Sequence, residues 1–260
     1  MKIAELRSRR REEAMERGVN PRDVDLLLSD VTGKPLPWLI AHGSAFVDEA
    51  QLDTFLTRRY AGEPLQYIRA KTEFYSRDFY VDDRVLIPRP ETELLVEAAI
   101  ERVPRGARVI DVGTGSGCIA VTLSLERPDL RVAGVDRSIG ALAVARRNGL
   151  RAAVAGDILD CVRDFDFVVS NPPYIPEREI ATLAKEVRDY EPRAALTPGP
   201  RGTEAIERIL ANARGVPVML EIGYGQDAII RDVAREHRYQ VDEILNDLAA
   251  IPRVVVLSAA

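Results

Sequence analysis

Arg108-Val109-Ile110-Asp111-Val112-Gly113-Thr114-Gly115-Ser116-Gly117-Cys118-Ile119-Ala120 is the stretch from which the fold can be read. An apolar run of strand character passes through three alternate glycines straight into a helical segment. Glycines at 113, 115 and 117 carry no Cβ and let the backbone come close to a ligand. Alone, such a triplet also marks an ordinary strand-to-helix turn. Its surroundings give it weight. From Glu91 onward helix and strand alternate: a helix near 91–103, a strand at 107–111, a helix at 117–126, a strand at 131–135 and a helix at 139–148. Strands follow near 152–156, 166–170 and 217–222, and the last is Arg253-Val254-Val255-Val256-Leu257. This alternation predicts a mainly parallel sheet covered by helices on both faces, with ligands bound beyond the C-terminal strand ends.

Three successive strand ends then line one nucleoside. The glycine turn is the first. Asp136 closes the second strand, where a carboxylate can accept hydrogen bonds from both ribose hydroxyls. Gly156-Asp157-Ile158 closes the third and can bracket an adenine between a polar group and an apolar flank. A pyrophosphate would call for Gly-x-Gly-x-x-Gly, with a helix N-terminus reaching the phosphates. Here the spacing is Gly-x-Gly-x-Gly, and Asp111 stands just before it. A carboxylate there repels a pyrophosphate but can receive the ammonium of a methionine moiety, which favours S-adenosylmethionine over a nicotinamide dinucleotide.

The fourth strand, Phe165-Asp166-Phe167-Val168-Val169-Ser170, ends in Asn171-Pro172-Pro173-Tyr174. An Asn-Pro turn is a common way to end a strand. Its chemistry also suits a planar NH₂ group, a poor nucleophile that must be held by both N–H bonds. Asn171 offers a side-chain carbonyl and Pro172 a backbone one. Proline fixes φ and donates no hydrogen bond, so the chain is stiff and its carbonyls are free for a ligand. Tyr174 adds an aromatic wall.

The 260-residue chain carries a net charge of −5, and basic and acidic residues balance within 1–70, so the excess falls on 71–260. A nucleic-acid enzyme usually shows an electropositive track. The one basic cluster, Arg7, Arg9, Arg10 and Arg11, is interleaved with Glu5, Glu12 and Glu13 and reads as a solvated helix face. Free nucleic acid is therefore disfavoured. No apolar run is long enough to span a membrane, and the start shows no secretory signal; a cytoplasmic protein without membrane association is expected. Cys118 and Cys161 lack metal-ligand spacing and read as half-buried core filler, so neither a disulfide nor a metal is expected. Leu26-Leu27-Leu28, and Leu52, Phe55, Leu56 and Tyr60 after Asp48-Glu49, predict helices within 1–70. Phe74-Tyr75, Phe79-Tyr80-Val81 and Val85-Leu86-Ile87 predict a β-hairpin leading into Pro88-Arg89-Pro90. The expected organisation is a helical domain over 1–70, a hairpin linker over 71–90 and a sheet domain over 91–260.

Several stretches together resemble one family. They are Gly62-Glu63-Pro64-Leu65-Gln66-Tyr67-Ile68, Ile87-Pro88-Arg89-Pro90-Glu91-Thr92-Glu93, residues 111–120, Asn171-Pro172-Pro173-Tyr174-Ile175-Pro176, Glu186 to Arg193 and Leu220-Glu221-Ile222-Gly223-Tyr224-Gly225-Gln226. The chain looks like the HemK/PrmC family of release factor glutamine N5-methyltransferases, which methylate the glutamine of the Gly-Gly-Gln motif in peptide chain release factors. The tetrapeptide alone also fits adenine-N6 methyltransferases; combined with Pro-Arg-Pro-Glu-Thr-Glu it is specific.

The resemblance implies an α/β fold: a seven-stranded Rossmann-like class I methyltransferase sheet, preceded by a small N-terminal helical domain that helps dock the release factor. It implies that Gly113, Thr114, Gly115, Ser116, Gly117, Asp136, Asp157, Ile158 and Asn171 hold S-adenosylmethionine. Asn171, Pro172, Pro173 and Tyr174 would hold the glutamine, with Asn171, Pro172 and Tyr174 at the reacting centre, while Arg89, Glu91 and Thr92 would pack over the cofactor unless Arg89 serves as a salt-bridge partner. The chain departs from the family in its short link at 149–151, in Ile158 where an aromatic residue is familiar, and in two prolines within 196–202. The competing reading is amino methylation of a nucleobase or of a glutamine in another translation protein.

Overall fold

The computed structural model describes residues 1–260. In chain order it contains helices α1 (Ile3–Glu16), α2 (Pro21–Thr32), α3 (Leu36–Ala41), α4 (Ala50–Ala61) and α5 (Leu65–Arg69), then strands β1 (Thr72–Phe74) and β2 (Arg77–Phe79). A 3₁₀ turn at Pro90–Thr92 leads into α6 (Glu93–Arg102), followed by β3 (Arg108–Val112), α7 (Cys118–Glu126), β4 (Arg131–Asp136), α8 (Ile139–Arg147), β5 (Ala153–Ala155) and β6 (Phe167–Ser170). The remainder comprises α9 (Lys185–Tyr190), α10 (Arg193–Leu196), α11 (Glu204–Asn212), β7 (Val218–Glu221), α12 (Asp227–Glu236), β8 (Tyr239–Asn246) and β9 (Pro252–Ala259). No helix is long and apolar enough to cross a membrane.

The chain divides into two compact units, Met1–Ala70 with Lys185–Tyr190, and Lys71–Ala184 with Glu191–Ala260. The first is helical. Its second helix shows why these residues choose that form. Asn20 caps the start by accepting the Arg22 N–H at 3.0 Å, Pro21 takes the first position where its missing donor costs nothing, and Gly33 ends the helix at φ 65. Leu6, Leu27, Leu28, Leu52 and Leu56 close the core beneath.

The arginines of α1, a solvated face in the sequence reading, are in part that, since Arg9 is exposed, but all four are also spent on carboxylates and Arg7, Arg10 and Arg11 are half-buried. Arg7 and Arg11 both reach the buried Asp25, Arg9 reaches Glu49 at 2.6 Å, and Arg10 bridges Glu13 and Asp53. The alternation of charge in sequence hid partners that lie on other helices. Helix α9 joins this unit through Arg59, which donates to Asp23 at 2.7 Å and Glu186 at 3.0 Å, and through Lys185 and Tyr190, which both donate to the Ala61 carbonyl.

The second unit holds the expected seven-stranded sheet in the order β5-β4-β3-β6-β7-β9-β8, parallel except for β9, which is antiparallel to both of its neighbours. Strands β3, β6 and β7 are buried almost throughout, which accounts for their largely apolar sequences, with Asp111, Ser170 and Glu221 as buried polar exceptions. Two clusters cover the two faces, one built on α6 and α7 and the other on α11 and α12.

The hairpin is shorter than predicted, pairing only Thr72–Phe74 with Arg77–Phe79 around Tyr75 and Ser76, both with positive φ. Val85-Leu86-Ile87 forms no strand. The Ile87 N–H goes instead to the Glu191 carboxylate at 3.1 Å, and the following prolines exclude a ladder. Neither cysteine is half-buried: Cys118 lies in the core, with its thiol pushed up to about 12 by burial, and Cys161 is exposed.

Leu220 in β7 is fully buried. Leu220→Ala lowers unfolding stability by about 2–5 kcal/mol, the usual cost of such a cavity, as read by chemical denaturation; a loss below about 1 kcal/mol contradicts its place in the core.

Candidate active site at the sheet switch point

Strand β3 is the point at which the chain reverses its direction of travel across the sheet, with β4 and β5 on one side and β6 and β7 on the other. A crevice opens at such a point beyond the strand ends. It lies between the ends of β3 and β6, which the Ser170 hydroxyl ties together by donating to the Val112 carbonyl at 2.6 Å. A cavity of about 400 Å³ occupies it, and Gly113, Gly115, Asp136, Asp157, Ile158, Asn171, Pro172 and Pro173 are in its wall.

The glycine turn presents alternate residues to the cavity. Gly113 and Gly115 face it, and Thr114, Ser116 and Gly117, also expected at the ligand, do not. Thr114 is buried and its hydroxyl donates to Asp111 Oδ2 at 2.6 Å. Gly134 in β4 makes this possible, because a Cβ there would lie 2.6 Å from Thr114 Oγ1. Ser116 is buried, with its carbonyl taken by Asn148, and Gly117 packs against Ala145 at the start of α7. Asp111, expected to meet an ammonium, is fully buried and absent from the cavity wall; burial pushes its carboxyl up to about 7, against the opposing hydrogen bond from Thr114.

Asp136 accepts the Gly115 N–H at 2.9 Å and the Ser138 N–H at 2.8 Å, one on each oxygen. Its carboxylate is thereby oriented, and a carboxylate has further lone pairs for a ligand. Asp157 takes an ion pair from Arg208 at 2.7 Å, and Ile158 adopts φ 56, an uncommon value for a branched residue. Pro192, Ala194, Ala195, Thr197 and Pro198 form a further stretch of the wall that sequence reasoning did not assign. The prolines of 196–202 were the visible signal.

At the end of β6 the Asn171 Nδ2 donates to Thr92 Oγ1 at 3.0 Å, and neither its Oδ1 nor the Pro172 carbonyl receives a hydrogen bond from the protein. Tyr174 is not in the cavity wall. Its hydroxyl donates to Glu221 Oε1 at 3.2 Å, and burial, reinforced by that neighbouring carboxylate, pushes the phenol upward. The Tyr174 carbonyl is held by Gln226 at 2.9 Å and by close packing against Gly202, where a Cβ would come within 2.5 Å at φ +84. Arg89 and Thr92 are likewise away from the cavity wall: Arg89 pairs with the buried Glu191, and Thr92 with Asn171. Glu91 is not in the wall either. Thr92, Glu221 and Gln226 all fall in stretches that carry the family resemblance, but sequence alone assigned no bonds to them. The arrangement places two unpaired oxygen acceptors beside a glycine-lined nucleoside-sized cavity.

The folded Asp111 carboxyl keeps its proton up to about 7 while its ordinary value is 3.8, so between those pH values the folded state binds more protons than the unfolded one. Stability therefore falls as pH rises through that window. Asp111→Asn flattens this slope, so thermal unfolding at pH ~5 and ~8 should show the variant gaining on wild type at the higher pH; parallel pH profiles contradict it.

A family profile for the PrmC N-terminal domain matches residues 7–69, and one for the Methyltransferase small domain matches 90–194. The chain is 42% identical over 224 residues to a release factor glutamine methyltransferase of Koribacter versatilis, covering 80% of this chain and 79% of that protein. It is 38% identical over 250 residues to one of Salmonella typhimurium, covering 90% of each. Among solved structures, the Mtq2–Trm112 complex of E. cuniculi shares the fold, with a TM-score of 0.53 at 22% identity, over 68% of this chain and 99% of that one. The chain belongs to the release factor glutamine methyltransferase family.

Proposed function

We propose that this chain transfers a methyl group from S-adenosylmethionine to the side-chain amide nitrogen of the glutamine in the Gly-Gly-Gln motif of peptide chain release factors. The observation that carries the reading is the orientation of Asn171. Its NH₂ is occupied by Thr92, so its carbonyl oxygen remains, beside the Pro172 carbonyl, as an acceptor without a donor. Two acceptors side by side fit the two hydrogens of a primary amide.

The cavity residues fit the methyl donor. Gly113 and Gly115 present backbone without a Cβ, the oriented Asp136 carboxylate suits ribose hydroxyls, and the Asp157–Ile158 corner suits an adenine. When bound, S-adenosylmethionine supplies an electrophilic methyl. The protein supplies placement: Asn171 Oδ1 and the Pro172 carbonyl accept the amide N–H bonds and aim the nitrogen along one line. Such positioning can recover about 7–11 kcal/mol of a barrier. After alkylation the nitrogen is strongly acidic and releases its proton to water or a backbone carbonyl, so no dedicated base is required. Glutamate is rejected because its carboxylate brings oxygens, not hydrogens, to two acceptors, each mismatch costing about 1–3 kcal/mol.

Tyr174 serves by bracing the loop through Glu221, and Pro172 and Pro173 by keeping it stiff. The helical unit, residues 1–70 with 185–190, assists docking of the release factor, and the sheet unit, in which residues 71–90 are included rather than standing as a separate linker, carries the methyl transfer in the cytoplasm. The pairing of the α1 arginines with carboxylates favours a protein substrate over a nucleobase in DNA or RNA.

Asn171→Ala lowers kcat about 10- to 100-fold, the worth of one lost charge-developing contact, while donor affinity in calorimetry changes far less; near-normal turnover removes Asn171 from this role. Asp136→Ala weakens donor binding about tenfold or more, and unaltered binding places the ribose elsewhere. Mass spectrometry of release factor after incubation locates one added CH₂ on the Gly-Gly-Gln glutamine; modification of nucleic acid instead selects the alternative reaction.

A further inference from the structure

A purine is bound through its flat faces as much as through its polar edge, and proteins meet those faces with aromatic rings, aliphatic side chains or planar cations. No aromatic side chain stands in the wall of the cavity, and Tyr174, the ring expected there, turns to Glu221 instead. The widest planar groups in the wall are the guanidinium groups of Arg84, Arg137 and Arg208. Arg84 is committed to Asp82, giving Nε to one oxygen at 2.8 Å and Nη2 to the other at 2.5 Å. Arg137 is exposed and has no partner to hold it. Arg208 differs from both, since its Nη2 donates to Asp157 Oδ2 at 2.7 Å, at the corner that suits an adenine.

The backbone beneath Arg208 is firmly placed. Glu204, Ala205, Arg208 and Ile209 form one face of α11, the face in the cavity wall, while Ile206 and Leu210 are buried in the cluster against the sheet. Glu204 pins the start of the helix by accepting the Arg201 N–H at 2.8 Å and the Gly202 N–H at 2.9 Å. The bond to Asp157 engages an edge of the guanidinium and leaves its faces open for stacking. Asp157 Oδ1 receives no hydrogen bond from the protein and remains as an acceptor for an exocyclic amine. Charge also fits. The sulfonium of the methyl donor is a cation, and Asp157 cancels locally the charge that a lone arginine would set against it.

We infer that Arg208 is a donor-binding residue whose guanidinium, held at its edge by Asp157, lies against a face of the adenine and closes that corner of the cavity. This rests on the reading of the cavity as an S-adenosylmethionine site and adds to it a residue outside every stretch that carries the family resemblance. No covalent step is involved. The two side chains are 50% and 46% exposed, and an ion pair so exposed adds little to folding stability. Its use lies in its place: it holds a flat, weakly hydrated cation ready at the mouth of a cavity that lacks a ring of its own.

The test uses the full chain and two unreactive probes in calorimetry, S-adenosylhomocysteine and S-ribosylhomocysteine, which lacks the base; thermal unfolding checks that each variant folds. Arg208→Ala weakens binding of S-adenosylhomocysteine about five- to tenfold and leaves that of S-ribosylhomocysteine unchanged. Arg208→Lys keeps the charge but not the plane and loses as much as Arg208→Ala. Arg208→Trp keeps a plane without the charge and stays within about twofold of wild type. A plain surface ion pair gives the opposite order, with Arg208→Lys close to wild type and Arg208→Trp as weak as Arg208→Ala, and that result overturns the inference. Equal losses for both probes overturn it as well, since the contact is then not with the base. So does a loss in Arg137→Ala that Arg208→Ala does not show. An Arg208→Ala chain with unaltered affinity, beside a wild type that binds S-adenosylhomocysteine, removes Arg208 and leaves the donor site standing. A wild type that does not bind S-adenosylhomocysteine overturns the donor site itself.

Discussion

The parallel register of β3 against β6 is the constraint on which the site depends. Val109 pairs with Phe167, Ile110 with Val168 and Asp111 with Val169. The side-chain period of a strand is two residues, so a slip of one position would send Val168 and Val169 to the wrong faces and carry Asn171 with them. Burial on both faces forbids the slip, since β6 is apolar and enclosed along its length. The hydrophobic core thus aims a polar group without touching it. The Ser170 hydroxyl on the Val112 carbonyl closes the two strand ends and leaves the glycine turn and the Asn-Pro loop to diverge around one crevice.

At those strand ends the protein accepts local instability. Asp111 Oδ1 and Glu221 Oε2 are buried without hydrogen-bond partners, a cost of about 1–3 kcal/mol or more for each. The surrounding apolar clusters offset it, and departures from full polar satisfaction of this kind gather at functional sites. Both carboxyls are raised by burial, yet they differ in use. Asp111 holds the inside of the glycine turn through Thr114, whereas Glu221 faces the residues that shape the Asn-Pro loop.

The alternation of helix and strand was legible because each buried strand is a short apolar run bounded by polar turns, and each helix between them carries its own period. β8 was not legible. A register shift between Val241 and Glu243 breaks its two-residue alternation, and its outer position fills it with charge, so Tyr239–Asn246 does not look like a strand in sequence. Val85–Ile87 failed in the opposite direction: it has strand composition, but the Glu191 carboxylate takes a backbone donor there. At the site, the residues around the cavity could be named from strand-end positions, but which way each side chain turned could not. Thr114 turns inward because Gly134, on the neighbouring strand, leaves room for its hydroxyl to reach Asp111. Tyr174 likewise turns from the cavity toward Glu221.

Helix α9 has a consequence for how this protein can be divided. Its six residues complete the helical unit, giving Arg59 its second carboxylate and the Ala61 carbonyl its two donors, although the chain on either side belongs to the other unit. The helical unit is therefore discontinuous in the gene. A fragment ending at Ala70 would expose the seat of a missing helix, and a graft of those first residues onto another catalytic body would bring the same gap. Exchange of this part between proteins requires two separated stretches of sequence to travel together.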